Sequence, residues 1–318
     1  MKRAARRMLL IQLHHLGDVV LATPAIRAAR AAFPDARIDF LTGALGAQAL
    51  AANPHLDSVL VAPRLRDLYR AHYDVVADLH SMPRSALYTA ATRAPARIGI
   101  RGRGPRNRAY TQLVERERGP VYMARQKLRL LTSLGIDPAK ADARLEIALD
   151  DGLRAWAHAL FARHGLRDKV VAVSPVAKHP FKQWGTDRWA IVADALAEAG
   201  AQVLITSGPD EIDQARDVAE RMRQPSVWQY GATSVRQLAA MCERCLLWVG
   251  NDGGPKHIAV AVGTPTVMVV RRQLGAVWSD ESDAKQVAIN SCADGLESVA
   301  PGDVVAAALR LYNTDFTD

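Results

Sequence analysis

The chain has 318 residues, 49% of them hydrophobic, a mean hydropathy of −0.06 and no apolar run long enough to span a membrane, which describes a soluble globular protein with room for two cores. Its formal charge of +8 is unevenly placed: residues 1–150 hold 24 Lys and Arg against 13 Asp and Glu, a net +11, whereas residues 151–318 hold 17 against 20, a net −3. The basic start Met1–Arg7 runs into an apolar stretch, Met8–Leu13, that is too short for a signal-peptide core, and three cysteines fit a reducing compartment, so a cytoplasmic location is expected.

In chain order, Met8–Leu13 reads as the first strand. His14-His15-Leu16-Gly17-Asp18 follows it at once, at the strand's carboxyl end. Asp18 there could cap the next helix, or act as a general base on a hydroxyl, with His14 beside it. Helices are expected over Thr23–Phe33 and Gly46–Asn53, and strands over Arg37–Leu41, Ser58–Ala62 and Val75–Leu79. Residues 79–114 then carry seven arginines (84, 93, 97, 101, 103, 106 and 108) and no carboxylate. A single-sign field of this kind suits an anionic partner, either nucleic acid or an acidic glycolipid at a membrane surface; it could also be a plain solvated face. No nucleic-acid motif and few aromatics accompany the arginines, so nucleic acid is the weaker choice.

The second half repeats the alternation. A helix over Leu153–His164 opens it, with strands over Val170–Ser174, Gln202–Thr206, Val227–Tyr230, Leu246–Gly250 and Thr266–Val270, and helices over Arg188–Ala199, Glu211–Arg223 and Ser234–Cys242. Alternating strands and helices imply parallel sheets with crossover helices. Two such units, 1–150 and 151–318, predict two Rossmann-like domains with a ligand cleft between the carboxyl ends of their strands. Cys242 and Cys245 have metal-ligand spacing, but no second pair exists, and a buried helix face is the expected setting.

Three loops of the second half carry candidate chemistry. Ser174–Trp184 places Lys178 and Lys182 after a strand, as a compact charge for a phosphate or as a solvated basic loop. Ser207-Gly208-Pro209-Asp210-Glu211 could hold ribose hydroxyls or cap its helix. Asn251-Asp252-Gly253-Gly254-Pro255-Lys256-His257 reads as strand, glycine loop and helix start, where free N–H groups meet an anion. It is neither a P-loop nor a dinucleotide fingerprint. The set suits a nucleotide-activated donor. No Asp-x-Asp pair occurs, so a metal-bridged diphosphate is disfavoured and Lys182 would take the leaving-group charge.

These residues resemble the ADP-heptose:lipopolysaccharide heptosyltransferases, glycosyltransferase family nine. Leu16-Gly17-Asp18-Val19-Val20 with Thr23-Pro24-Ala25 matches the family's opening motif, Lys182-Gln183-Trp184 its Lys-Arg-Trp loop, Ser207–Glu211 its Gly-Gly-Pro-acid turn, and Asn251–His257 with Gly263-Thr264-Pro265 its C-terminal signature. The resemblance implies a GT-B fold and inverting, metal-independent sugar transfer, with no cofactor beyond the ADP-heptose donor. By analogy Asp18 is the base, and Lys182, Ser207, Gly208, Asp210, Glu211, Asp252, Gly253, Gly254 and His257 bind donor. The basic half, with His14, Arg84, Arg97, Arg101, Arg103 and Arg106, would face an anionic lipopolysaccharide core at the inner-membrane surface. Gly253 stands where the family usually has Ser or Thr, and Lys256 where Met is common. A nucleotide-sugar epimerase on the same fold and a non-catalytic nucleotide- or glycolipid-binding protein are the alternatives.

Overall fold

A computed structural model describes residues 5–230 and 233–316; Met1–Ala4 of the basic start lie outside them. The chain divides into two compact units, Met1–Ala148 and Leu149–Asp318. Each is built on a sheet of six parallel strands.

In the first unit the strands are β1 (Arg7–Ile11), β2 (Arg37–Thr42), β3 (Ser58–Val61), β4 (Val75–Asp78), β5 (Ala96–Ile100) and β6 (Gln112–Val114), ordered β3-β2-β1-β4-β5-β6. β1 shows why these residues make a central strand. Met8 and Leu10 point into one apolar cluster with Ile26 and Phe40, and Leu9 and Ile11 into another with Leu41 and Val76. A strand covered on both faces has to be apolar throughout. The chain runs outward from β1 to β3, then returns to the other side of β1 as β4. The loops after β1 and β4 therefore part around a crevice at the carboxyl edge.

The second unit holds β7 (Val170–Ser174), β8 (Gln202–Ser207), β9 (Ser226–Tyr230), β10 (Leu247–Asn251), β11 (Thr266–Val270) and β12 (Gln286–Asn290), ordered β12-β11-β10-β7-β8-β9. Its reversal lies between β7 and β10, which pair directly. Val171 and Val173 fill one core with Trp184 and Trp189; Val170 and Ala172 fill the other with Trp248 and Met268. The helix Val235–Glu243 starts at a capping box, Ser234 Oγ accepting from the Gln237 N–H and Gln237 Oε1 accepting from the Ser234 N–H.

Several elements depart from expectation. β5, β6 and β12 are strands that the sequence reading left unassigned, as are the helices Pro83–Thr92, Met123–Arg129 and Pro301–Tyr312. The arginine-rich stretch is therefore partly sheet, not one solvated run. Cys242 lies on its helix and Cys245 just past its end, both in the core, and burial pushes the Cys242 thiol up to about 12. Among the described residues no helix is long and apolar enough to cross a membrane.

Lys256 is fully buried in the helix Gly254–Ala261, its ammonium donating to the Trp278 carbonyl at 2.7 Å and to Gln286 Oε1 at 2.8 Å. Burial lowers its pKa from 10.5 to about 7, against the opposing charges of Asp252, Asp283 and Asp280. Between those values the unfolded chain holds a proton that the folded chain does not, so this site adds stability as pH rises through the window, and its cost is full below about 7. Unfolding free energies from urea melts are expected to move in favour of the wild type over Lys256→Met as pH rises from about 7 towards 10. A pH-independent difference would refute the burial argument. A second expectation concerns two glycines. A Cβ on Gly250 would stand 2.5 Å from the Ser174 carbonyl oxygen and 2.7 Å from the Trp248 ring, whereas one on Gly253 meets nothing closer than 3.5 Å. Gly250→Ala should cost about 1–3 kcal/mol in a thermal or urea melt, the usual scale of overpacking. Gly253→Ala, in extended backbone, should leave the melting midpoint unchanged.

Candidate active site

The first crevice is lined where β1 and β4 end. β1 gives way to buried Gln12 and then to His14 and His15, both exposed. His15 turns the chain at φ 62°, a left-handed conformation that a residue with a side chain adopts at a cost of about 1–3 kcal/mol. The short helix Leu16–Val20 follows and carries Asp18 in its first turn. No side chain caps that helix, and the Asp18 carboxylate is turned instead to Lys127, with Nζ to Oδ1 at 3.3 Å. Lys127 comes from the helix Met123–Arg129, is 3% exposed, and donates to Gln12 Oε1 at 2.7 Å. Sequence reading did not single it out; one lysine between Arg125 and Arg129 carries no signal of burial.

Across the crevice, Asp78 ends β4. Its Oδ1 accepts from the N–H groups of His80 and Ser81, and its Oδ2 from Tyr110 Oη at 2.7 Å. Burial raises the Asp78 carboxyl, while these hydrogen bonds oppose the shift. The His80 ring meets the His14 ring edge-on at 5.7 Å. Burial, and secondarily the Lys127 charge, bring His80 down to about 4, so it is neutral near pH 7.

The second crevice gathers the loops after β7, β8 and β10, neighbouring strands of one parallel sheet. After β7, a single 3-10 turn, Pro180–Lys182, presents Lys182, while Trp184 is buried and anchors the loop by donating its indole N–H to the Val299 carbonyl at 3.1 Å. After β10, Asn251 donates its side-chain amide to the Pro175 carbonyl at 2.6 Å, tying the two loops together. Lys182 Nζ and Asp252 Oδ2 lie 2.6 Å apart. Two residues read separately as donor ligands are thus partners. Gly253 and Gly254 open the helix Gly254–Ala261, with Pro255 in its first turn, and His257 is buried one turn in, its ring edge-on to Trp278 at 6.1 Å. In the β8 loop Ser207 is half-buried, Asp210 is exposed, and Glu211 Oε2 accepts from the Gly208 N–H at 3.3 Å. Glu211 therefore closes its own turn, the capping alternative.

The arginines divide. Arg97 is corrected: it lies in β5, and its guanidinium donates to the Ala109 carbonyl at 2.7 Å and the Ala94 carbonyl at 2.6 Å, binding its own fold. Arg101 is paired with Glu115, the carboxylate that ends the acid-free stretch. Arg84 and Arg103 are exposed. Arg103, Arg106 and Arg108 stand with Pro105 along one wall of a groove of about 520 Å³, facing Pro83, Ala86, Leu87 and Ala90 of the helix Pro83–Thr92. Among the described residues no group of three or more His, Cys, Asp or Glu side chains could hold a metal ion.

The model of glycosyltransferase family 9 (heptosyltransferase) matches residues 63–272. Asp18 lies outside that span. The Escherichia coli K12 protein named lipopolysaccharide heptosyltransferase 3 is 28% identical over 278 residues, covering 79% of this chain and 78% of its own. Among solved structures, a family 9 glycosyl transferase from Veillonella parvula superposes with a TM-score of 0.88 at 23% identity, covering 98% of both chains. The E. coli heptosyltransferase WaaC with ADP-2-deoxy-2-fluoro heptose superposes with a TM-score of 0.72 at 18% identity, covering 97% of this chain and all of its own. The two six-stranded parallel sheets are those of the GT-B fold. The chain belongs to glycosyltransferase family 9, the heptosyltransferase family, and is a glycosyltransferase.

Proposed function

We propose that this enzyme transfers a heptose from ADP-heptose to the inner core of lipopolysaccharide, with inversion at the anomeric carbon and without a metal. The observation that carries the reading is the Lys182–Asp252 pair at the reversal of the second sheet, beside the open start of the helix Gly254–Ala261. A lysine ammonium and free helix N–H groups together suit a diphosphate. The name of the E. coli relative and the ADP-sugar analogue bound to WaaC support the same donor and acceptor class.

In this mechanism an acceptor hydroxyl oxygen attacks the anomeric carbon on the face away from ADP. Its bond to that carbon forms as the carbon–oxygen bond to the diphosphate breaks, and ADP leaves with the electron pair. Asp18 takes the hydroxyl proton. Lys182 and the helix start meet the charge that grows on the diphosphate, the role a divalent ion would otherwise fill. Asp252, freed from Lys182 by the diphosphate, turns to a sugar or ribose hydroxyl. The epimerase and binding-protein readings are not favoured, since the family is one of glycosyl transfer.

The acceptor surface is narrower than the arginine count suggests. Arg97 and Arg101 are engaged within the fold, which leaves Arg84, Arg103, Arg106 and Arg108, with His14 beside the base. Apolar Leu87, 56% exposed, flanks the arginines. An apolar groove with a cationic wall suits the acidic sugars of a membrane-anchored glycolipid, and places the enzyme peripherally on the cytoplasmic face of the inner membrane.

With ADP-heptose and a Kdo-terminated lipid A acceptor, Asp18→Asn should bind ADP normally and turn over on the order of a hundredfold more slowly, the usual contribution of a general base. Near-normal turnover would remove Asp18 from that role. Activity should persist in EDTA; loss restored by magnesium would overturn the metal-free reading. Replacing Arg103, Arg106 and Arg108 together by Gln should raise the acceptor KM and flatten its dependence on salt, because exposed charges are screened over about 8 Å at physiological ionic strength. Donor KM should not move. An unchanged acceptor KM would make these arginines solvated surface only.

A further inference from the structure

A buried lysine is costly unless something repays its desolvation. Lys127 is 3% exposed, and an apolar side chain of its length would fill the same space more cheaply. Its ammonium has two partners: Gln12 Oε1 at 2.7 Å, itself held at the end of β1 by the amide that Gln12 donates to the His14 carbonyl at 3.0 Å, and Asp18 Oδ1 at 3.3 Å. The cation is thus fixed against β1 and aimed at one oxygen of one carboxylate. Asp18, by contrast, is 21% exposed, so solvent or an acceptor can reach it.

We infer that Lys127 is a positioning residue for Asp18, fixing Oδ1 and holding the carboxylate ionised so that Oδ2 is left to take the acceptor's proton. The inference rests on the reading of Asp18 as base. The other titratable groups around the pair do not substitute for Lys127. His14 and His15 lie on the Asp18 loop and are exposed. His80, on the loop after β4, is neutral near pH 7. Asp78 is spent on Ser81, His80 and Tyr110, and acts on Lys127 only at longer range, as does Arg116 with opposite sign. Burial pulls the Lys127 ammonium down, and Asp18 is the largest influence holding it up. Each group keeps the other charged.

The test is the pH–rate profile of Lys127→Met and Lys127→Gln, assayed with ADP-heptose and a Kdo-terminated acceptor. Taking a cation from beside a carboxylate favours its neutral form, so the acid limb of kcat should move to higher pH by about one unit or more. At pH 7 kcat should fall about tenfold, which is what one unit on that limb amounts to, with donor KM unchanged. Lys127→Arg restores the charge and should return the limb towards its wild-type position. Lys127→Gln keeps a polar contact to Gln12, so it serves where Lys127→Met does not fold. A folded neutral variant whose acid limb stays in place, even with a lower kcat, would reduce Lys127 to a structural role and overturn the inference. If Asp18→Asn turns over normally, it is the reading of Asp18 as base that fails. If Asp18→Asn is inactive and the limb is unmoved in the Lys127 variants, only the present inference fails.

Discussion

A parallel sheet covered on both faces has no room for an unpaired charge along its strands, and the rest of this molecule follows from that constraint. β1, β7, β10 and β11 are apolar nearly throughout, and polar groups appear only as these strands end: Gln12 after β1, Ser174 on β7, Asn251 on β10. The charges that do occur inside strands are heavily engaged. Asp39 in β2 is 1% exposed and is met by Arg7, Arg37 and the Tyr73 hydroxyl. Chemistry is therefore confined to the carboxyl edges, and within each edge to the point where strand order reverses and neighbouring loops diverge.

The same constraint explains what could be read without coordinates. Strands buried on both faces leave continuous β-branched runs, so β1, β7, β8, β10 and β11 stand out in the sequence, and the loops that follow them were legible as candidate sites. β5 (ARIGI) and β12 (QVAIN) carry a polar or charged residue among few apolar ones and are only half covered, so periodicity gives little. The arginine run was legible as charge but not as contact. Nothing in a count of charges distinguishes Arg97, whose guanidinium is consumed by two backbone carbonyls, from Arg103 at the groove. Lys127 was invisible for a related reason. Its meaning lies in a contact between residues far apart in the chain, and locally it is one cation on a short helix rich in them.

Three lysines show how environment, not residue type, sets the role. Lys256 is buried against neutral acceptors, a carbonyl and an amide, and burial takes it to about 7. It ties the helix Gly254–Ala261 to Trp278 and Gln286 and does not reach the anion-facing end of that helix. Lys127 is equally buried but faces a carboxylate, which resists the same shift. Lys182 is about a quarter exposed and paired with Asp252 at the surface of its crevice.

That last pair has a mechanical consequence. An ammonium in direct contact with a carboxylate is already partly neutralised, so an incoming diphosphate must compete for it rather than meet a bare cation. The competition favours a ligand bearing more than one negative charge and engaging the helix N–H groups at the same time. A neutral sugar supplies neither, and a lone carboxylate offers only what Asp252 already provides. Displaced, Asp252 becomes an unpaired and nearly buried acceptor that has to find a hydroxyl, which a sugar-linked diphosphate carries and an inorganic anion does not. The resting ion pair thus couples recognition of the charged and the hydroxylated parts of one donor.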